Sequence, residues 1–456
     1  TGDSIAATGT ATGRYSFTFH HTVAAPVLAA TTSVLEAGGG FGAPGALSVS
    51  VEGLPTSGAI VSGLVRTTAA LPGQPAREVL EIRSDINPGL AGVVGGIAAT
   101  QAIVTGVVNR PTRPSVGGGE RRIIPGTFLR GFAGTATATS RSVQAGSTTG
   151  TATSLDASYA GITGGGDNRT FDIVGGLTFS YAGGNTSIPV FQTDPTDPTR
   201  LTGTLAETIG SEFRQTSGGA YAAVAFAEGS SLLSFDLNYR HDSTIYRFAS
   251  TPAAGGGGAL IFPGPREATV NSDTVSLNAS FTDVLQTLNV SSPQEGRLPI
   301  RAKYQLQAGI SHTASSGITL GVTDGTFTID PSQSTIAYLG GQLSATFFRE
   351  LPGTRSGTRP QGLVALTEAY LGARHYVDLS PARTSSFTAT GGGTRAISTD
   401  PLGSFTEVSV GVLFVNEVAR VGQGISSITG NIRADARFGK NIRDSYGLTA
   451  ELRLNF

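Results

Sequence analysis

Over long stretches of this chain apolar and polar residues alternate at every step. In residues 300–310, Ile300, Ala302, Tyr304, Leu306, Ala308 and Ile310 share one parity, and Arg301, Lys303, Gln305, Gln307 and Gly309 the other. Residues 446–456 repeat this: Tyr446, Leu448, Ala450, Leu452, Leu454 and Phe456 lie opposite Gly447, Thr449, Glu451, Arg453 and Asn455. Successive side chains of a β-strand point to opposite faces, so each run predicts a strand with one apolar and one polar face. Residues 171–181, 233–240, 274–281, 407–414 and 428–438 follow the same rule, and 335–348 and 362–377 follow it less cleanly.

Length and charge say what the two faces meet. Several runs reach the ~9–11 residues of a tilted transmembrane strand, where soluble strands centre near ~5–6. Arg or Lys on the lipid side of a barrel costs about 2–4 kcal/mol near the midplane. A one-residue slip of 300–310 would turn Arg301 and Lys303 outward together, so the apolar face is expected to meet lipid and the polar face a lumen. Phe281, Phe414, Phe438 and Phe456 lie toward strand ends, where aromatic girdles sit.

The ending on Phe456 resembles the terminal strand of Gram-negative outer-membrane β-barrels, whose final aromatic is that family's assembly signal. The resemblance assigns that role to Tyr446, Leu448, Leu452, Leu454 and Phe456. It implies the bacterial outer membrane as location, with outer-membrane lipid and the barrel assembly machinery as partners, and it leaves a homo-oligomer open. The expected fold is all-β: a transmembrane antiparallel barrel of about 12–16 strands with a Gly-rich, partly helical N-terminal insertion that plugs or lines the lumen.

The first third differs. Residues 13–22 read as a strand, with Tyr15, Phe17 and Phe19 opposite Arg14, Ser16, Thr18 and His20. It is expected to pair with the last strand and close the barrel, which removes both edges. Residues 76–109 read as helical. Val79, Leu80, Ile82 and Ile86 are partly helically spaced, and Asn87-Pro88 supplies an N-cap followed by Pro at the first helical position. Residues 89–108 are almost wholly apolar apart from Gln101, and long enough to span a membrane. Gly89, Gly92, Gly95, Gly96 and Gly106 each weaken such a helix by roughly 1 kcal/mol, so it is expected to pack inside or beside the barrel. The division is then 1–25, a first barrel strand and arm; 26–125, a Gly- and Pro-rich insertion; and 126–456, the main barrel.

Composition removes other functions. There is no Cys, hence no disulfide framework or thiol chemistry, and the formal net charge of −1 gives no reason to expect nucleic acid. Met is absent even at position 1, which predicts a start left by removal of a secretion signal. Trp is absent as well, so Tyr and Phe must fill the interfacial belts. The five histidines lack the spacing of a zinc site, and neither a phosphate-binding loop nor a nucleophile elbow occurs. Gly2-Asp3-Ser4-Ile5 resembles the nucleophile block of GDSL esterases, but that family's Asp-x-x-His pair is missing. No catalysis, cofactor or metal is expected.

What remains is the set of charges on the inward parity: Arg14, Asp236, Arg240, Arg301, Lys303, Glu407, Arg433, Asp435, Arg437, Glu451 and Arg453. These are expected to line a pore or brace its interior. Their cation excess predicts a weak anion preference if the lumen conducts. The functional expectation is a porin-like channel for passive diffusion of small hydrophilic solutes. Two alternatives stand beside it. One is an autotransporter translocator, a family that the Gly447 and Phe456 ending also suits, with an upstream helix held in the pore. The other is a plugged barrel serving as a structural or surface-array protein.

Overall fold

The computed structural model describes residues 4–8, 15–20, 28, 31–38, 40–41, 47–52, 58–69, 77–107, 126–145, 150–170, 173–193, 201–226, 231–248, 262, 266–292, 296–351, 363–417 and 427–456. Six strands precede the helix: β1 (Ile5–Ala7), β2 (Tyr15–His20), β3 (Thr31–Ala37), β4 (Leu47–Glu52), β5 (Ile60–Ala69) and β6 (Arg77–Ile86). Helix α1 (Pro88–Ala102) continues into a π-helical turn, Ile103–Val107. Next come β7 (Gly126–Gln144), β8 (Gly150–Thr170), β9 (Ile173–Thr193), β10 (Leu201–Phe226), β11 (Ser231–Phe248), β12 (Arg266–Ser292) and β13 (Gly296–Ser315). The chain ends with β14 (Ile318–Val322), β15 (Gly325–Ile329), β16 (Ser332–Leu351), β17 (Leu363–Asp378), β18 (Arg383–Ala389), β19 (Thr394–Thr399), β20 (Phe405–Glu417), β21 (Ser427–Gly439) and β22 (Ile442–Asn455).

Twelve of these strands, β7–β13, β16, β17 and β20–β22, form a closed antiparallel barrel. The seam lies between β22 and β7, paired from Ile442↔Ala138 to Asn455↔Gly126. Closure leaves no edge to be satisfied in lipid. Residues 13–22 therefore do not close the barrel. Within them, β2 pairs parallel with β4, Tyr15 opposite Leu47. Alternation specifies two faces but names no partner, and the expected closing strand had the right faces in the wrong sheet. Residues 77–86 are also a strand, not a helix: β6 sits between β3 and β5, burying Leu80, Ile82, Ser84 and Ile86 at period two.

The outward face carries the apolar band. On β11, Leu233, Phe235, Leu237 and Tyr239 point out; on β12, Val275, Leu277 and Phe281 do so. Beyond Tyr239 the same outward parity turns polar, with His241, Ser243 and Arg247 on β11 and Asp273, Asn271 and Glu267 on β12. The inward parity changes the opposite way. It runs from Ser234, Asp236 and Asn238 to Tyr246 and Phe248, both essentially inaccessible to solvent. The barrel thus has a membrane section with lipid outside, and a section projecting beyond it with water outside.

The inner wall of that projecting section packs around α1, all of whose residues are buried. The Asn87 side chain accepts from Gly89 N at 2.8 Å and donates to Gly58 O at 2.7 Å, which ties the helix start to the β4–β5 connection. The helix lies against β7, β8 and β9 because its glycines allow close approach. A methyl at Gly95 would stand 3.0 Å from Ser142 Oγ, one at Gly92 3.0 Å from Thr153 Oγ1, and one at Gly96 would run into Ile188. The hairpins β14–β15 and β18–β19 extend the sheet over this end, with Ile397–Thr399 of β19 joining Ser142–Gln144 of β7 and Phe327 and Phe387 added to the core.

The lumen as candidate functional site

Below α1 the lumen is braced by ion pairs. Glu407 on β20 is held by Arg374 from β17, at 3.3 Å, and by Arg433 and Arg437 from β21. Arg437 Nε donates to Glu407 Oε2 at 2.8 Å, and its Nη2 stands 3.2 Å from Asp435 Oδ2. Its Nη1 also donates to Tyr159 Oη of β8 at 3.3 Å, linking two parts of the wall. Toward the β7 start, Arg453 meets Asp167 at 2.8 Å, and Asp167 also accepts from Tyr221 Oη and from Gly126 N. Arg130 Nε donates to Glu451 Oε2 at 2.8 Å, and Lys303 stands 3.0 Å from Glu368 Oε2. Asn278 donates to Asp236 at 2.7 Å.

Nearer the helix, Arg240 Nε donates to Asp242 Oδ2 at 2.9 Å, and Gln215 donates to the other carboxylate oxygen at 2.8 Å. Arg240 also donates to Thr274 Oγ1 at 3.1 Å and to Thr105 O, in the π-helical turn, at 3.5 Å. Buried charges require partners of this kind, since an isolated one carries a large desolvation penalty.

Asp236, Arg240, Arg301, Lys303, Glu407, Arg433, Asp435, Arg437, Glu451 and Arg453 all lie on the inward parity of their strands. Arg14 falls outside the described residues. The assembly-signal set lies on the outward parity of β22 and just beyond it: Tyr446, Leu448, Leu452 and Phe456 are more than half exposed, and Leu454 is half-buried. Reading the sequence missed inward partners of equal weight: Arg130, Asp167, Asp242, Glu368, Arg374 and Tyr159. With Arg14 outside the described residues, these additions bring the inward set to eight cations and seven carboxylates, so the cation excess behind the expected anion preference narrows to one. Glu368 and Arg374 share one parity opposite Ala369, Leu371 and Ala373, a sequence signal that could have found them. Arg130 shares its parity with Phe128 and Phe132, which hid its direction.

Small cavities lie between the helix and the wall among the described residues. A cavity of about 10 Å³ lies beside Ala98, Ala102, Ser140 and Arg383, and one of about 20 Å³ beside Thr105, Gly106, Ser276 and Tyr338. Each is on the order of one water. Under the helix end, the rings of Tyr338 and Tyr376 stand 5.2 Å apart and those of Tyr376 and Phe405 stack at 4.5 Å, with the Arg374 guanidinium 5.6 Å from the Tyr338 ring centre.

No protein-family model and no curated protein sequence matches the chain. Solved structures do. The transport unit of the autotransporter AIDA-I from Escherichia coli superposes with a TM-score of 0.50 over 81% of this chain and 98% of that one, at 11% identity. The β domain of the Bordetella autotransporter BrkA matches 73% of this chain and 100% of its own at 16% identity, with a TM-score of 0.41. The Pseudomonas putida toluene transporter TodX matches 79% of this chain and 96% of its own at 10% identity, with a TM-score of 0.33. The first of these, together with the closed twelve-strand wall and its outward apolar band, carries the conclusion that this chain has the outer-membrane β-barrel fold with an N-terminal helix inside the lumen.

Proposed function

We propose that this protein is an outer-membrane translocator of its own N-terminal region: the barrel passes the upstream chain outward and retains α1 in the lumen. One observation carries this reading. The helix lies wholly inside the barrel, and its N-terminal end joins β5 and β6 at the loop-rich end, opposite the end where β7 starts and β22 finishes. Barrels of the outer membrane place short turns on the periplasmic side and longer loops outside. On that orientation residues preceding α1 stand outside the cell while Gly126 and Asn455 face the periplasm. A diffusion channel would need a continuous wet path, and the packing of α1 against β7–β10 does not favour one.

A protease site inserted between β5 and β6 tests the reading. It should be cut on intact cells, releasing the N-terminal piece while leaving the barrel in the membrane. Protection on intact cells, with cleavage only after the outer membrane is opened, would refute it. In planar bilayers the full chain should be nearly silent, and a variant lacking residues 88–107 should show stable open channels.

A further inference from the structure

Helix α1 is a poor ruler for its own depth. Apart from Thr100 and Gln101, its side chains are Pro, Gly, Ala, Leu, Val and Ile. Such a helix can move by one turn, about 5.4 Å, and still present small and apolar side chains to the wall. Something directional must select one depth.

Gln101 is buried to 1% exposure, and both ends of its amide are held by the wall. Nε2 donates to Tyr246 Oη of β11 at 3.1 Å, and Oε1 accepts from Ser272 Oγ of β12 at 2.9 Å. The Tyr246 hydroxyl in turn donates to Ile97 O, one turn earlier on the helix, at 3.3 Å, and Ser272 Oγ lies 2.9 Å from Ser315 Oγ of β13. Three wall strands and two helix turns therefore share one hydrogen-bonded group. A shift of one turn puts Ile97 or Thr105 opposite Tyr246 and Ser272. Ile97 offers no side-chain hydrogen bond, and the short Thr105 side chain cannot span the two hydroxyls. Buried polar groups left unpaired are strongly disfavoured.

We infer that Gln101 is a positioning residue: with Tyr246 and Ser272 it forms a detent that stops α1 at one depth in the barrel. The inference rests on the translocator reading for its purpose, since it defines where outward movement of the chain ends. The contacts it invokes do not depend on that reading.

The test uses the full-length chain, which has no native Cys. The Gly95→Cys, Ser142→Cys pair should close a disulfide at the native depth, because the Gly95 β-position is 3.0 Å from Ser142 Oγ. Ala99→Cys with Ser142→Cys reports an outward shift by one turn, and Ala91→Cys with Ser142→Cys an inward one. With Gln101 present, the Gly95 pair should dominate. In Gln101→Leu, which keeps the volume, the ratio of shifted to native cross-links should rise roughly 10-fold. Tyr246→Phe combined with Ser272→Ala should raise it similarly without touching the helix, and decides the matter if Gln101→Leu does not assemble. An unchanged ratio in the assembled variants would overturn the proposal. A native-depth cross-link in a protein whose N-terminal region lies on the periplasmic side would overturn the translocator reading and leave the detent standing.

Discussion

The membrane section of the β8–β12 wall and the section projecting beyond it obey opposite rules. Both alternate at period two, and single strands run through both. On β10, Ala220, Ala222, Val224 and Phe226 face outward in the lower section with Tyr221 inside. Higher up, Glu212, Arg214 and Thr216 face outward with Phe213 and Ile209 inside. The same holds on β11, where Leu237 is 54% exposed and Phe248 is 1% exposed. Hydrophobicity of a residue therefore does not indicate its side of the wall unless its height is known. The solvent on each side decides: lipid outside the lower section, water outside the upper one, with α1 as the apolar interior of the latter.

Three substitutions would break or sharpen this contrast. The largest effect is expected for Phe213→Ala, which empties a fully buried site in the projecting section. It should cost about 3–5 kcal/mol, read as a lower temperature for loss of the compact barrel form on gels. Next, Leu237→Arg places a cation against lipid and should lower stability by about 2–4 kcal/mol in folding titrations with lipid vesicles. Arg247→Leu, ten residues along the same face, should change stability by only about 0–1 kcal/mol, the worth of the exposed pairs to Glu212 and Glu267 that it removes. If Arg247→Leu cost as much as Leu237→Arg, the boundary near Tyr239 would be misplaced.

The smallest effect belongs to the N-terminal sheet. The Phe41 amide and the Arg66 guanidinium beside Glu78 hold its carboxyl below the ordinary glutamate value. A depressed folded-state pKa contributes stability at neutral pH that is lost as pH falls through that lowered value. Amide protection in β3 and β6, taken relative to the intrinsic exchange rate at each pH, should therefore fall modestly in acid, while in Glu78→Gln it should already be lower at neutral pH and should not fall further.

The barrel was legible in the sequence because lipid on one face and charge on the other leave no freedom of register. Arg301 and Lys303 alone orient β13. The helix start was legible too, since Asn87 and Pro88 are a cap whose geometry is local. Partnerships were not. Tyr15, Phe17 and Phe19 alternate as a barrel strand would, yet β2 pairs parallel with β4, because strand faces carry no record of distant neighbours. In residues 77–86 the adjacent Val79 and Leu80 blurred a period of two into an apparent helix. The lumen network was half legible: Arg433, Asp435 and Arg437 announce themselves on one strand, while Asp167 and Tyr159 sit among glycines and small residues that mute the alternation of β8.

The glycines of α1 also constrain the order of folding. Four of its fifteen residues are Gly, each worth roughly 1 kcal/mol against helix, and an isolated segment of this length is marginal even with favourable residues. Before the wall exists this stretch has no reason to coil. On the translocator reading the barrel is expected to act as its template, with the segment uncoiled until the lumen is there to receive it. Helix formation is then expected to follow closure of the wall and not to seed it.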